Sequence, residues 1–205
     1  MAKLKICGLF REEDIDAANE AAPDFIGFVF APSRRQVDPA RAARLRSRLR
    51  EGIRVVGVFT DAPAGEIAAL CRDGLIDMVQ DHGGGDAARL AELRESCGVP
   101  VIKALSLGPG ADASAFAAAD FLLFDGASPG GGRPFDWSLL RGEGCPVPCF
   151  IAGGIDLDNI EEALRLGPFG IDVSSGAESG GFKDRAKMMA LADKVRRFNI
   201  TGGER

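Results

Sequence analysis

The segment Val147–Glu178 reads VPCFIAGGIDLDNIEEALRLGPFGIDVSSGAE and contains two short apolar runs that each end abruptly in small residues. Asp156 follows the first run and is a typical N-cap for the helical pattern behind it. Glycines let backbone N–H groups come close to a ligand, and serines add hydroxyl donors. On adjacent parallel strands, the two loops would form one concave phosphate site. The residues of this predicted site are Gly153, Gly154, Ser174, Ser175 and Gly176.

The rest of the chain repeats the same unit, an apolar run followed by a helical pattern. The apolar runs are 4–7, 25–30, 54–59, 76–80, 99–105, 121–124, 149–152 and 170–173. Strands that are apolar throughout are typical of a parallel sheet buried on both faces, and eight such units close a barrel. We therefore predict an α/β fold, a single-domain (β/α)₈ TIM barrel over residues 1–205. A short or irregular helix is expected between strands five and six, at 113–119, and a frayed tail from about residue 199.

Composition excludes several classes of function. A net charge of −5 argues against a nucleic-acid-binding surface, which would need a basic face. No apolar run is as long as a membrane span, and no signal-peptide pattern opens the chain. The five cysteines are odd in number and unevenly spaced, which indicates free thiols in a reducing compartment. We expect a cytoplasmic protein, a monomer, with no nucleic-acid, membrane or metal partner.

Active sites of such barrels lie at the carboxyl ends of the strands, so polar residues there are candidates. They are Cys7, Ser33, Arg35, Asp61, His82, Lys103, Asp125 and Asp172. The first and sixth strands face each other across the barrel mouth, so Cys7 and Asp125 are expected on opposite sides of a small substrate. A thiol and a carboxyl above a phosphate site suit acid–base chemistry on a sugar phosphate.

Most predicted strand ends carry a short motif. The motifs are KICGL (5–9), GFVF (27–30) with SRRQV (33–37), VGVF (56–59), VQDHG (79–83), LFD (123–125), FDW (135–137), AGG (152–154) with Asn159, and DVSSGAE (172–178) with Lys183-Asp184. In this order they resemble the phosphoribosylanthranilate isomerases of tryptophan biosynthesis over almost the whole chain. That family converts an aminoaldose phosphate into the aminoketose by an Amadori rearrangement.

The resemblance implies a role for each candidate. Cys7 is implied to be the general base and Asp125 the general acid, with no metal and no organic cofactor. The base needs a stabilised thiolate and the acid needs a raised pKa, so we expect both shifts. Arg35, rather than Arg34, is expected to bind the carboxylate of the anthranilate, and Asp172 to position the substrate amine. His82 is assigned to substrate binding, although a histidine after a strand is as often a hydrogen-bonded scaffold residue.

Two alternatives stay open. One is a related sugar-phosphate isomerase of histidine-pathway type, which resembles this family in fold but uses two aspartates, so Cys7 argues against it. The other is a non-catalytic barrel that binds a phosphorylated ligand, because fold alone does not prove activity. The glycine-rich loop around Gly130–Gly132 is predicted to fold over the site as a lid.

Overall fold

A computed structural model of the chain describes residues 1–106, 113–126 and 145–202. Eight parallel strands follow one another around a closed barrel, and the last strand pairs with the first. They are β1 (Lys3–Cys7), β2 (Phe25–Val29), β3 (Arg54–Phe59), β4 (Met78–Asp81), β5 (Val101–Ser106), β6 (Phe121–Asp125), β7 (Cys149–Ile151) and β8 (Gly170–Val173). The predicted (β/α)₈ barrel is confirmed. The FDW motif and the predicted lid at Gly130–Gly132 lie outside the described residues.

Helices cover the outside of the barrel. They are α1 (Glu12–Ala21), α2 (Pro39–Arg48), α3 (Ala64–Arg72), α4 (Ala87–Cys97), α5 (Ile160–Arg165) and α6 (Arg185–Thr201). Three of them begin behind an aspartate whose side chain accepts a backbone N–H of the first turn: Asp38 for α2, Asp86 for α4 and Asp184 for α6. Within the described residues, no helix has both the length and the apolar character needed to cross a membrane.

Between β5 and β6, residues Ala113–Phe116 form a 3₁₀ turn, which agrees with the short or irregular helix expected there. The structure differs from the sequence-based expectation in three places. Asp156 accepts N–H groups from residues 158 and 159, but these form a turn, so α5 begins only at Ile160. A two-stranded hairpin, β9 (Glu178–Ser179) with β10 (Phe182–Lys183), precedes α6 and was not expected. The tail is not frayed from 199: α6 continues to Thr201, because Asn199 exchanges two hydrogen bonds with the backbone of Ala2.

Each strand presents alternate residues to two different environments. One face packs against the helices and forms the larger apolar cluster. The other face points into the barrel, which we call the lumen. The part of the lumen away from the carboxyl ends of the strands is filled by a second apolar cluster, which includes Phe25, Val56, Met78, Ile102, Leu123 and Phe150. The polar residues therefore occupy the remaining part of the lumen, at the carboxyl ends of the strands.

Candidate active site

Four of the predicted residues meet at the mouth of the lumen. Cys7 and Asp125 end β1 and β6, His82 follows β4, and Asp172 lies within β8. His82 Nε2 lies 3.6 Å from the Asp125 Oδ2, and Asp172 bonds Lys5, which lies two residues before Cys7 on the same face of β1. Of the other candidates, Asp61 is exposed. Lys103 is buried but faces the helices, where it pairs with Asp81 at 2.7 Å.

Cys7 is buried in a site with no spare room. A Cβ built at Gly27, its partner on β2, would lie 2.6 Å from the Cys7 Sγ. Burial raises the pKa of the Cys7 thiol, and Asp172 raises it further, while Lys5 and Lys183 lower it. The net direction is upward, so the expectation of a stabilised thiolate is wrong for the unliganded protein. The cause is burial, which penalises the charged form of a thiol more than the two lysines favour it.

Asp125 shows the expected shift. Burial raises the pKa of its carboxyl, and the charge of Asp172 adds to that effect, whereas His82, the Gly126 N–H and Lys5 lower it. The carboxyl rests on the backbone of the loop after β7, since a Cβ built at Gly153 would lie 2.9 Å from the Asp125 Oδ1. A carboxyl that holds its proton more tightly than usual is suited to act as a general acid.

His82 lies beside Asp125 rather than opposite it. Its Nε2 is 3.6 Å from the Asp125 Oδ2, which is longer than a hydrogen bond. The amide of Gln80 lies 3.0 Å from Nδ1 and donates to it in this orientation, so Nε2 carries the ring hydrogen. Burial lowers the pKa of His82 despite the nearby Asp125. The imidazole is therefore held neutral, with its N–H directed towards the carboxyl.

A buried ion pair lies beneath both Cys7 and Asp125. Lys5 Nζ donates to the Asp172 Oδ2 at 2.8 Å, and neither side chain is more than 8% exposed. Burial alone would lower the pKa of Lys5, but the charge of Asp172 and that of Cys7 raise it. The other carboxylate oxygen, Asp172 Oδ1, is buried and has no hydrogen-bond partner among the residues that the structure describes. A buried acceptor without a donor is costly, so this atom is available to a donor on a ligand.

Arg35 belongs to a second cluster at the rim of the mouth, in which Glu178 gathers three cations. Arg35 binds Glu178 through two nitrogens, Nε at 2.7 Å and Nη2 at 3.0 Å, and Arg34 and Lys183 bind the same carboxylate. Burial would raise the pKa of Glu178, but the hydrogen bonds and charges of Arg35 and Lys183 lower it to about 2. Arg35 is 17% exposed and packs on Gly8, whereas Arg34 is 55% exposed. The cluster therefore fixes the guanidinium of Arg35 next to Cys7 and carries a net positive charge.

The two loops of the predicted phosphate site are in contact. Gly176 packs so closely against the carbonyl of Ile155 that a side chain there has no space. Gly153 and Gly154 both have positive φ angles, 87° and 66°. The hydroxyl of Ser174 donates to the Cys7 carbonyl at 3.3 Å, which links this loop to the end of β1.

Sequence reasoning did not single out Lys5, Glu178 or Lys183, although all three act on the site. Lys5 precedes Cys7 by two positions on the same strand, so strand alternation alone places it on the same face. Glu178 and Lys183 lie on the hairpin, whose two-residue strands leave no periodic signal in the sequence.

Comparisons with known proteins point to one family. A family model described as N-(5'phosphoribosyl)anthranilate (PRA) isomerase matches residues 4–194. The chain is 45% identical over 201 residues to the N-(5'-phosphoribosyl)anthranilate isomerase of Endomicrobium trichonymphae, which covers 96% of this chain and 99% of that protein.

Solved structures agree with this result. The phosphoribosyl anthranilate isomerase from Thermus thermophilus superimposes with a TM-score of 0.84 at 32% identity, covering 96% of this chain and 99% of that one. A second crystal structure of such an isomerase, in complex with reduced 1-(o-carboxyphenylamino)-1-deoxyribulose 5-phosphate, also gives a TM-score of 0.84, at 28% identity and 96% and 100% coverage.

Proposed function

The chain belongs to the N-(5'-phosphoribosyl)anthranilate isomerase family, and from that premise we propose that Cys7 and Asp125 are the general base and general acid of this isomerisation in tryptophan biosynthesis. The observation that carries the proposal is their placement. Cys7 is buried and the Asp125 side chain is only 14% exposed, and both lie at the mouth of one lumen, although they are 118 positions apart on the first and sixth strands.

The chemistry needs one proton donor and one acceptor. Asp125 gives its proton to the ring oxygen of the ribose, which opens the ring to a Schiff base. Cys7, as the thiolate, then takes the proton from C2, and the resulting enolamine tautomerises to the aminoketose. The reaction therefore begins with one proton on Asp125, passes through a Schiff-base stage in which neither group is protonated, and ends with one proton on Cys7. Exchange with solvent then returns the pair to its starting state.

Substrate binding divides among three regions of the mouth. We propose that Arg35 binds the carboxylate of the anthranilate, because its guanidinium is held beside Cys7 in a cluster of net positive charge. The open oxygen of Asp172 suits the substrate N–H. The glycine and serine loops after β7 and β8 take the phosphate, which is supported by their contact at Gly176. The neutral His82 donates towards the carboxyl of Asp125 and supports its orientation.

The location, the oligomeric state and the lack of a cofactor are also proposals. A cytoplasmic location is supported by five cysteines that are all free thiols. The monomeric state and the absence of a cofactor are kept as expectations to be tested with the activity.

The test is an isomerase assay with freshly made phosphoribosylanthranilate, followed by anthranilate fluorescence in the presence of a chelator. Cys7→Ala and Asp125→Ala should each lower kcat by a factor of about 10² or more, the scale of a lost acid or base. Binding of the reduced product analogue should be nearly unchanged, since the phosphate loops remain. Cys71→Ala removes a thiol outside the lumen and should leave the rate unchanged.

The two variants should also differ from each other. Without Cys7 the ring still opens, so Schiff-base formation survives while exchange of the C2 proton with solvent is lost. Without Asp125 both steps fail for the closed ring. A near-normal kcat in Cys7→Ala would place the base elsewhere, and activity that requires a divalent metal would contradict a mechanism of proton transfers alone.

A further inference from the structure

The proposed mechanism assigns no role to Lys5, the lysine of the buried ion pair with Asp172. Lys5 is wholly buried, and its ammonium bonds Asp172 across the closure of the barrel, where β1 meets β8. A buried ion pair is weak evidence for stability, because desolvation offsets much of its attraction. Its position in the lumen, directly below the catalytic residues, therefore needs another explanation.

The reaction needs Cys7 and Asp125 in a protonation state that is the less favourable of two, and the ion pair could stabilise that state. Over the pH range in which the two groups hold one proton, ordinary acidities place that proton on the thiol and leave the carboxyl charged. The productive state is the reverse one, with the proton on Asp125 and the charge on Cys7. Because burial raises both pKa values, it does not by itself favour the productive state.

The two ends of the ion pair act on the two groups with opposite signs. Lys5 lies two residues before Cys7 on the same face of β1, and the effect of its charge on the thiol is larger than that of Asp172. At Asp125 the order reverses, and the effect of Asp172 exceeds that of Lys5. The pair is thus oriented, with its cation towards the base and its carboxylate towards the acid.

We propose that Lys5 and Asp172 form a positioning pair whose oriented charges move the single shared proton from Cys7 to Asp125 and so populate the productive state. The proposal rests on the proposed function, in which these two groups are the base and the acid. Lys5 acts through its charge on Cys7 and Asp125 rather than through a contact with the substrate.

Other charged groups face the same residues. Lys183 from β10 also favours the thiolate, and Arg35 packs on Gly8 next to it. At Asp125 the remaining neighbours are His82, whose positive charge when protonated lowers the pKa of the carboxyl, and the N–H of Gly126, which also lowers it. Among the described residues, Asp172 is the anion that acts on Asp125, so the effect of the pair can be separated from its surroundings.

The test is the pH profile of kcat in the double variant Lys5→Met/Asp172→Asn. Both changes are close in shape, asparagine keeps an oxygen for the substrate amine, and no buried charge is left unpaired. Loss of the cation raises the pKa of Cys7, so the alkaline limb moves to higher pH. Loss of the anion lowers the pKa of Asp125, so the acid limb moves to lower pH. The bell-shaped pH profile of kcat therefore becomes wider. Its maximum falls about 100-fold if each limb moves by about one pH unit.

A matched control uses the other buried pair of the barrel. Lys103→Met/Asp81→Asn removes the same chemistry on the helix side of the sheet, and neither residue is among the main groups that shift the pKa of Cys7 or Asp125, although Lys103 acts on His82. It should keep the width of the wild-type bell. An unchanged width in the Lys5/Asp172 variant, or equal widening in the control, would overturn the proposal. Affinity for the reduced product analogue should be the same in wild type and in the Lys103/Asp81 control.

A second comparison avoids the double replacement. Lys5→Arg keeps a cation beneath the thiol and should keep the alkaline limb in place, whereas Lys5→Gln should move it upwards. Equal alkaline limbs in these two variants would contradict the proposal. A wild-type protein without isomerase activity would instead contradict the proposed function, so the two failures are distinct.

Discussion

The barrel contains two buried lysine–aspartate pairs of the same chemistry on opposite faces of one sheet. Lys5 and Asp172 lie 2.8 Å apart in the lumen, and Lys103 and Asp81 lie 2.7 Å apart against the helices. Lys103 also donates to the Gly83 carbonyl at 2.8 Å, and both carboxylate oxygens of Asp81 have partners. In the lumen pair, one oxygen of Asp172 has none among the described residues. The comparison indicates that the face of the sheet decides the role of a pair. The Lys103–Asp81 pair, whose polar atoms have partners, is structural, whereas the Lys5–Asp172 pair keeps an oxygen for a ligand.

The largest expected effect comes from splitting the helix-side pair. Lys103→Met leaves the Asp81 carboxylate buried without its cation, which should lower the free energy of unfolding by about 3–5 kcal/mol. Lys103→Met/Asp81→Asn should recover most of that loss. Urea unfolding at neutral pH measures both. A loss below about 1 kcal/mol in the single variant would mean that water reaches Asp81, and the comparison of two equally buried pairs would fail.

A smaller effect is expected from Arg35, which shares one carboxylate partner with Arg34 but faces the lumen. Arg35→Ala should raise KM about 10- to 100-fold with little change in kcat, because a charge-assisted hydrogen bond to the substrate carboxylate is lost in ground and transition states alike. Arg34→Ala removes an exposed cation from the same Glu178 and should change KM less than about fivefold. Steady-state kinetics decide this, and a fall in kcat at constant KM in Arg35→Ala would argue against carboxylate binding.

The smallest expected effect comes from adding one methyl group to the lumen face or to the helix face of the sheet. Gly27→Ala places a Cβ 2.6 Å from the Cys7 Sγ, and Gly57→Ala places one 2.8 Å from the Phe59 ring on the helix side. Displacing the thiol should lower kcat about tenfold. Both substitutions crowd a buried site and should cost about 1–3 kcal/mol of stability, but Gly57→Ala should leave kcat unchanged. Kinetics and urea unfolding of both variants measure this, and an equal fall in kcat in Gly57→Ala would contradict it.

The architecture could be predicted from the sequence because eight apolar runs alternate with helical patterns, and Cys7 and Asp125 stood at the ends of two of those runs. The face of a residue was harder to predict. Strands buried on both sides are apolar at every position, so alternation carries no polar signal. Lys103 was therefore named as a site candidate although it faces the helices, while Lys5 was passed over although it faces the lumen.

Two further errors have the same physical origin, which is that distant segments decide local properties. The thiolate expected at Cys7 depends on how burial balances Lys5 and Lys183, and one of these lies on the unexpected hairpin. Residues 199–201 stay helical because Asn199 bonds Ala2 at the other end of the chain. Neither contact follows from local propensity.

The closure of the barrel between β8 and β1 has a consequence for biosynthesis. Lys5 and its partner Asp172 are 167 positions apart, so a chain still emerging from the ribosome has made the lysine long before the aspartate. Until the eighth strand is synthesised, the ammonium has to stay in water and the first strand cannot take its final place. A circular permutant that joins residues 2 and 199, which touch at the base of the barrel, would bring β8 and β1 together early in translation and change the order of folding without changing the site.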